Sequence, residues 1–145
     1  MHEYKLFQEI QTCSKMSLKL FKESLHPQYN RNMIFKAGEG AGRSGSFFFF
    51  SHDKRFIIKT MTSSELKLMI KILPDYVKHF KEHPDSLIAR IFGVFTVKVA
   101  SLDPVTVILM ENTLRVESSV LEYLFDLKGS WVARTSDPSE FTKKD

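Results

Sequence analysis

The stretch AGEGAGRSGSFFFFSHDKRFIIKT, residues 37–60, decides the fold that we predict for this chain. It contains the pattern G-x-G-x-x-G at Gly40, Gly42 and Gly45. In a dinucleotide-binding unit such glycines follow a strand and open a helix. Here they precede four phenylalanines, Phe47–Phe50, which favour a strand. The pattern therefore argues against a dinucleotide-binding fold and indicates a glycine-rich loop that leads into a β-hairpin.

The second strand of this hairpin is predicted to bring a lysine back beneath the loop. It reads Phe56-Ile57-Ile58-Lys59 and follows a turn at residues 52–55. A glycine-rich loop, a strand and a returning strand that ends in lysine are typical of the nucleotide-binding hairpin of kinases. There, backbone N–H groups of residues 43–46 cover phosphate oxygens and Lys59 supplies a compact positive charge. The alternative is an ordinary hairpin with a permissive glycine turn and a solvated lysine.

Length and composition limit the function. With 145 residues the chain is one domain and too short for a two-lobed kinase. Its apolar runs fall short of the roughly 20 residues that cross a bilayer, and its N-terminus lacks a signal-peptide core, so we expect a cytoplasmic or peripheral location. Cys13 is the single cysteine, which excludes an internal disulfide. The net charge of +4 suits an anionic partner or ordinary solubility. We expect no nucleic-acid partner; the oligomeric state stays open.

Helices are predicted on both sides of the hairpin. The lead-in, residues 4–25, forms two short helices that Pro27 closes. The T-x-x-E pattern that starts at Thr62 predicts a capped helix over about 63–83, which Pro74 is expected to divide. Glu65 is the one acidic residue between Lys59 and position 75, which makes it the candidate to pair with Lys59. Its alternative role is to cap the helix.

Two antiparallel strands are predicted next, over residues 87–99 and 105–110. The chain is thus predicted to be α+β, with an antiparallel sheet and flanking helices. In a kinase, the segment that leaves such a sheet hydrogen-bonds adenine, and Met110, Glu111, Asn112 and Thr113 stand there. The alternative is a plain polar loop. Strand patterning continues to about residue 127, where Asp126 and Lys128 share one face, and residues 135–145 form a polar tail.

The chain resembles the N-terminal lobe of a phosphatidylinositol phosphate kinase. The resemblance extends from about residue 4 to the end. The motifs that carry it are GRSGSFFFF at 42–50, RFIIKT at 55–60, LPDY at 73–76, SLIARIFGVF at 86–95, MEN at 110–112 and DLKGS at 126–130. The resemblance implies an ATP-dependent lipid kinase of the phosphoinositide class, most often one that converts phosphatidylinositol 4-phosphate to the 4,5-bisphosphate at the cytoplasmic face of membranes.

The resemblance also implies roles for particular residues. The ATP phosphates are covered by the loop, namely Gly42, Arg43, Ser44, Gly45, Ser46 and Phe47. Lys59 binds the phosphates, Glu65 holds Lys59, and Met110–Thr113 hold adenine. Asp126 and Lys128 lie beside the transferring phosphate, and Lys128 and Arg134 contact the lipid headgroup. Trp131 departs from the family, which usually has a small hydroxyl residue there.

The family's catalytic aspartate and its Mg²⁺-binding aspartate follow the segment that ends at residue 145. Without them the charge on a transferring phosphoryl group is not neutralised, so we expect this chain alone to be inactive. Mg²⁺ ligands are expected only in that later part. The alternative function is a non-catalytic module, derived from such a kinase, that binds phosphoinositides or other anions, or a partner protein.

Overall fold

A computed structural model of the chain describes residues 1–31, 47–116 and 118–120. Its helices are α1 (Tyr4–Cys13), α2 (Leu18–Ser24), α3 (Pro27–Asn30) and α4 (Ser63–Glu82). Its strands are β1 (Phe48–Phe50), β2 (Phe56–Met61), β3 (Ile91–Val97) and β4 (Val105–Glu111), followed by a 3₁₀ turn at Ser118–Val120. The predicted glycine-rich loop and the predicted strand patterning beyond residue 120 lie outside the described residues.

The four strands form one antiparallel sheet in the order β1-β2-β4-β3. Together with the flanking helices this confirms the predicted α+β fold. Lys59 on β2 lies directly across from Phe48 on β1 and from Ile108 on β4. Residues paired in this way point to the same face of the sheet. The hairpin therefore places Lys59 next to the strand that the glycine-rich loop enters.

The sheet core is covered on both faces at β4. Ile108 and Leu109 are consecutive, so their side chains point to opposite faces, and both are buried. Phe56 stacks on Phe21 from α2 and meets Phe92 edge to face, with ring centroids 5.0 and 5.6 Å apart. Such aromatic pairs add roughly 0.5–1.5 kcal/mol to the burial of each ring. They fix α2 against the sheet.

Two prolines act differently from what the sequence predicted. Pro27 follows α2 but is itself the first residue of α3, where its missing N–H costs nothing. Pro74 does not divide α4, which runs unbroken over 20 residues. On this helix Met69, Leu73, Val77 and Phe80 are buried. We infer that the burial of this apolar face outweighs the backbone hydrogen bond that Pro74 cannot make.

The third strand begins later than predicted, at Ile91 rather than near residue 87. The cause is Tyr76 on α4, whose hydroxyl donates to the Ala89 carbonyl at 2.6 Å and accepts from the Ile91 amide at 3.0 Å. These bonds tie the start of β3 to the helix. Burial raises the pKa of Tyr76 to about 12, so its hydroxyl stays a neutral donor.

None of the helices in the described ranges has the length and apolarity of a bilayer span.

Candidate functional site

Lys59 and Glu65 form an ion pair at the point where β2 meets α4. The Nζ atom of Lys59 lies 3.2 Å from Oε1 of Glu65 and 5.8 Å from the ring centroid of Phe48. The Lys59 side chain is 24% exposed. Within the part of the chain that the structure describes, Glu65 is its one hydrogen-bond partner. An ammonium group has three donors, so two remain for a ligand.

Glu65 makes both of the contacts that the sequence left as alternatives, because its two oxygens have different partners. Oε2 accepts hydrogen bonds from the backbone N–H and the hydroxyl of Thr62, at 2.7 and 3.0 Å. The Thr62 hydroxyl in turn accepts from the Glu65 amide, which completes a capping box. Oε1 is left for Lys59. Hydrogen bonds from Thr62, and then from Lys59, hold the pKa of Glu65 below its usual value.

Phe47, the residue just before β1, is hydrogen-bonded to β2 next to Lys59. The amide of Phe47 donates to the Thr60 hydroxyl at 3.0 Å, and the Thr60 amide donates to the Phe47 carbonyl at 3.0 Å. Phe47, the last residue of the predicted loop, is therefore held beside Thr60, the residue that follows Lys59 on β2. Gly42, Arg43, Ser44, Gly45 and Ser46 lie outside the described residues.

The turn between β1 and β2 is held by a half-buried carboxylate, a role that the sequence did not suggest for Asp53. Its oxygens accept from the hydroxyls of Ser24 and Ser51 at 2.6 and 2.7 Å and from both the amide and the Nε of Arg55. Burial raises the pKa of Asp53, but these hydrogen bonds outweigh it and hold the pKa far below the usual range. The hairpin that carries Lys59 is thereby anchored to α2.

The predicted adenine-binding segment, residues 110–113, does not lie wholly beyond the sheet, because Met110 and Glu111 are the last two residues of β4. Asn112, the first residue after the strand, fixes the segment to the same turn. Its backbone amide donates to the Arg55 carbonyl at 2.9 Å, and its side-chain Nδ2 donates to the Lys54 carbonyl at 2.7 Å. The Glu111 amide donates to the Arg90 carbonyl at 2.7 Å. Thr113 is exposed and has no hydrogen bond to another residue in the described ranges. The backbone of Thr113 is thus the part of the segment left open to a ligand.

A second residue without a predicted role, Arg90, connects this segment to the end of α4. Its guanidinium lies 3.4 Å from Glu111 Oε2, donates to the Pro84 carbonyl at 2.6 Å and sits 5.0 Å from the Phe80 ring centroid. Arg90 lies inside the motif SLIARIFGVF, but nothing in its spacing distinguishes it from a surface arginine. The sequence carried no signal for this contact.

Three predicted site residues, Asp126, Lys128 and Arg134, lie outside the described residues.

His79 and His83 are four residues apart on α4, a spacing that can hold a metal ion. In the structure, however, Nε2 of His79 lies 2.8 Å from the Ser86 hydroxyl. In residues 1–31, 47–116 and 118–120 there is no group of three or more metal-binding side chains. A 520 Å³ cavity between α2 and α3 is lined by none of the candidate residues. A smaller cavity of 290 Å³ is bordered by Arg90 and by Glu111, which belongs to the predicted adenine-binding segment.

Comparisons with known proteins point to one protein family. The model of the phosphatidylinositol-4-phosphate 5-kinase family matches residues 29–145. A probable phosphatidylinositol phosphate kinase of Dictyostelium discoideum is 44% identical over 99 residues, which are 68% of this chain and 14% of that protein. Phosphatidylinositol 4-phosphate 5-kinase 9 of Arabidopsis thaliana is 39% identical over 99 residues, 68% of this chain and 12% of the relative.

A phosphatidylinositol 4-phosphate 5-kinase of Schizosaccharomyces pombe is 39% identical over 102 residues, which are 70% of this chain and 14% of that protein. The chain thus spans about one seventh of the length of these relatives.

Proposed function

We propose a function from the premise that this chain belongs to the phosphatidylinositol-4-phosphate 5-kinase family, whose model covers residues 29–145. The chain supplies the ATP-binding lobe of a phosphatidylinositol phosphate kinase. Its lipid substrate is phosphatidylinositol 4-phosphate, as the names of its relatives indicate, and it meets that lipid at a membrane surface. By itself the lobe binds ATP and does not transfer phosphate, because the resemblance places the catalytic aspartates after residue 145.

One observation carries this proposal, the ion pair of Lys59 and Glu65 beside the strand that the glycine-rich loop enters. A lysine tied to a helix glutamate keeps a defined position and still presents two N–H donors to a phosphate. These residues therefore fit the phosphates of a nucleoside triphosphate at the point where β2 meets α4. Hydrogen bonds from Thr62 and Lys59 keep the pKa of Glu65 below its usual value, so its carboxylate is ionised at neutral pH and accepts the hydrogen bond from Lys59.

ATP would supply the phosphoryl group, with Mg²⁺ neutralising part of its charge. Among the chain's own residues, Lys59 contacts phosphate oxygens, Glu65 orients Lys59, and the backbone of Thr113 contacts the adenine edge. The glycine-rich loop covers the phosphates. Lys128 and Arg134 contact the lipid headgroup.

Calorimetric titration of the 145-residue chain with MgATP tests the nucleotide part. We expect Lys59→Met to raise the Kd for ATP about tenfold or more, which corresponds to about 1.4 kcal/mol. Thermal unfolding should change little, because a partly exposed ion pair contributes about 1 kcal/mol or less. Lys67→Met, at an exposed lysine of α4, is the matched control and should bind ATP normally. Absence of ATP binding by the wild-type chain at millimolar concentration would refute the proposal.

Vesicle co-sedimentation tests the lipid part. Vesicles that contain phosphatidylinositol 4-phosphate should bind more chain than phosphatidylserine vesicles of equal charge. Charge reversal at Lys128 together with Arg134 should remove that difference. Equal binding to both vesicles would show attraction to negative charge alone.

A further inference from the structure

We propose that Arg90 and Tyr76 are positioning residues for the adenine end of the nucleotide site, so that helix α4 fixes both ends of that site. This inference rests on the proposed ATP-binding function. At the phosphate end α4 acts through Glu65, which holds Lys59. At the adenine end it acts through Tyr76 and Arg90, which hold Glu111.

The first link is between α4 and the chain around Arg90. The Tyr76 hydroxyl bonds to the carbonyl of Ala89 and the amide of Ile91, which are the two neighbours of Arg90 in sequence. Tyr76 is half-buried and its ring packs edge to face on Phe80, with centroids 4.9 Å apart. The backbone on either side of Arg90 therefore has little freedom to move relative to the helix.

The second link is between Arg90 and the segment that leaves β4. The Arg90 carbonyl accepts the Glu111 amide at 2.7 Å, while its guanidinium lies near the Glu111 carboxylate at 3.4 Å. The same guanidinium donates to the Pro84 carbonyl, just after α4, and lies over Phe80 on α4. Its side chain is 19% exposed and that of Glu111 is 34% exposed. Glu111 is thus held through its backbone and its side chain at once.

The third link is from Glu111 to the adenine contacts. Glu111 lies two residues before Thr113, and Asn112 between them is fixed to the β1–β2 turn. A backbone held at Glu111 and at Asn112 leaves the Thr113 peptide a narrow range of positions. A preformed peptide binds adenine without a prior ordering cost. Loss of the Arg90 contact should therefore weaken adenine recognition and leave phosphate recognition intact.

The test compares two ligands on the 145-residue chain, MgATP and inorganic tripolyphosphate. If Arg90→Met reduces the competent arrangement of the segment to about a tenth, the Kd for ATP rises about tenfold. The Kd for tripolyphosphate should change less than about twofold, whereas Lys59→Met should weaken both ligands. Arg90→Lys keeps the charge but cannot span both partners, so we expect a partial effect. Arg31→Met, at an exposed arginine beside α3, is the control. Tyr76→Phe should act in the same direction as Arg90→Met.

Hydrogen exchange provides a readout that does not depend on nucleotide. In Arg90→Met the amide of Glu111 should exchange several-fold faster, while amides in the middle of β4 keep their wild-type rates. Equal acceleration throughout β4, or equal loss of affinity for both ligands, would reduce Arg90 to a general stabilising residue and overturn the inference. Unchanged ATP affinity would also overturn it. If the wild-type chain bound neither ligand, the proposed function would fail, and the exchange rate of the Glu111 amide alone would decide whether Arg90 positions the segment.

Discussion

At the scale of single residues, the site depends on carboxylates whose oxygens are divided among several partners. Glu65 caps α4 with one oxygen and holds Lys59 with the other. Asp53 closes the β1–β2 turn with both oxygens and joins it to Ser24 on α2. The sequence suggested the two roles of Glu65 as alternatives, because the capping box and the lysine are close in the chain, and the structure combines them. The sequence did not predict the role of Asp53, because Ser24 lies 29 residues away.

Asp53→Asn should destabilise the fold, because an amide cannot accept all of the hydrogen bonds that the carboxylate accepts. Hydrogen bonds to charged groups contribute about 1.5–3 kcal/mol, and we expect a loss of about 2 kcal/mol in the free energy of unfolding at pH 7. Chemical denaturation measures this loss. Asp75→Asn, at an exposed position of α4, is the control and should unfold like the wild type.

The same carboxylate predicts a pH dependence of stability. The folded-state pKa of Asp53 is depressed, so its contribution is fully present above the unfolded value of about 3.9 and is lost as the pH falls below it toward the folded value. The wild type should therefore lose stability below about pH 4 more steeply than Asp53→Asn. Parallel stability curves for the two proteins would show that Asp53 is not the group that titrates.

At the scale of elements, the strands and most helix boundaries followed from local patterns, whereas the exceptions depend on tertiary contacts. The capping box set the start of α4, and the apolar run that starts at Val105 set β4. Pro74 does not interrupt α4, because the helix is held by its buried face on both sides of the proline. The late start of β3 depends on the Tyr76 hydroxyl, which a single sequence does not connect to Ala89 and Ile91.

Pro74→Ala should stabilise the chain. Proline in a helix interior is about 3 kcal/mol less favourable than alanine, while the added freedom of the unfolded chain returns up to about 1 kcal/mol. We expect a net gain of about 2 kcal/mol in the free energy of unfolding, measured with chemical denaturant. Pro104→Ala, in the turn between β3 and β4, should give no gain. A destabilised Pro74→Ala would mean that the proline ring itself makes contacts that the fold requires.

At the scale of the whole molecule, α4 connects the two ends of the candidate nucleotide site. Glu65 lies near its start and pairs with Lys59. Tyr76 lies in its second half and, with Arg90, holds Glu111. The residues proposed for each end of the site come from kinase-like motifs, which are local in the chain. The connection between the ends is not local, and only the structure brings Arg90 onto Glu111.

The most direct measurement is covalent labelling with an ATP acyl phosphate, which transfers its acyl group to lysines beside the bound phosphates. Peptide mass spectrometry would then locate the modified residues. We predict preferential labelling of Lys59, with protection by excess ATP, reduced labelling in Glu65→Gln, and little labelling of the exposed residues Lys54 and Lys67. Labelling of Lys59 no stronger than that of Lys54 and Lys67, or unaffected by ATP, would contradict the claim that Lys59 binds the phosphates of a nucleotide.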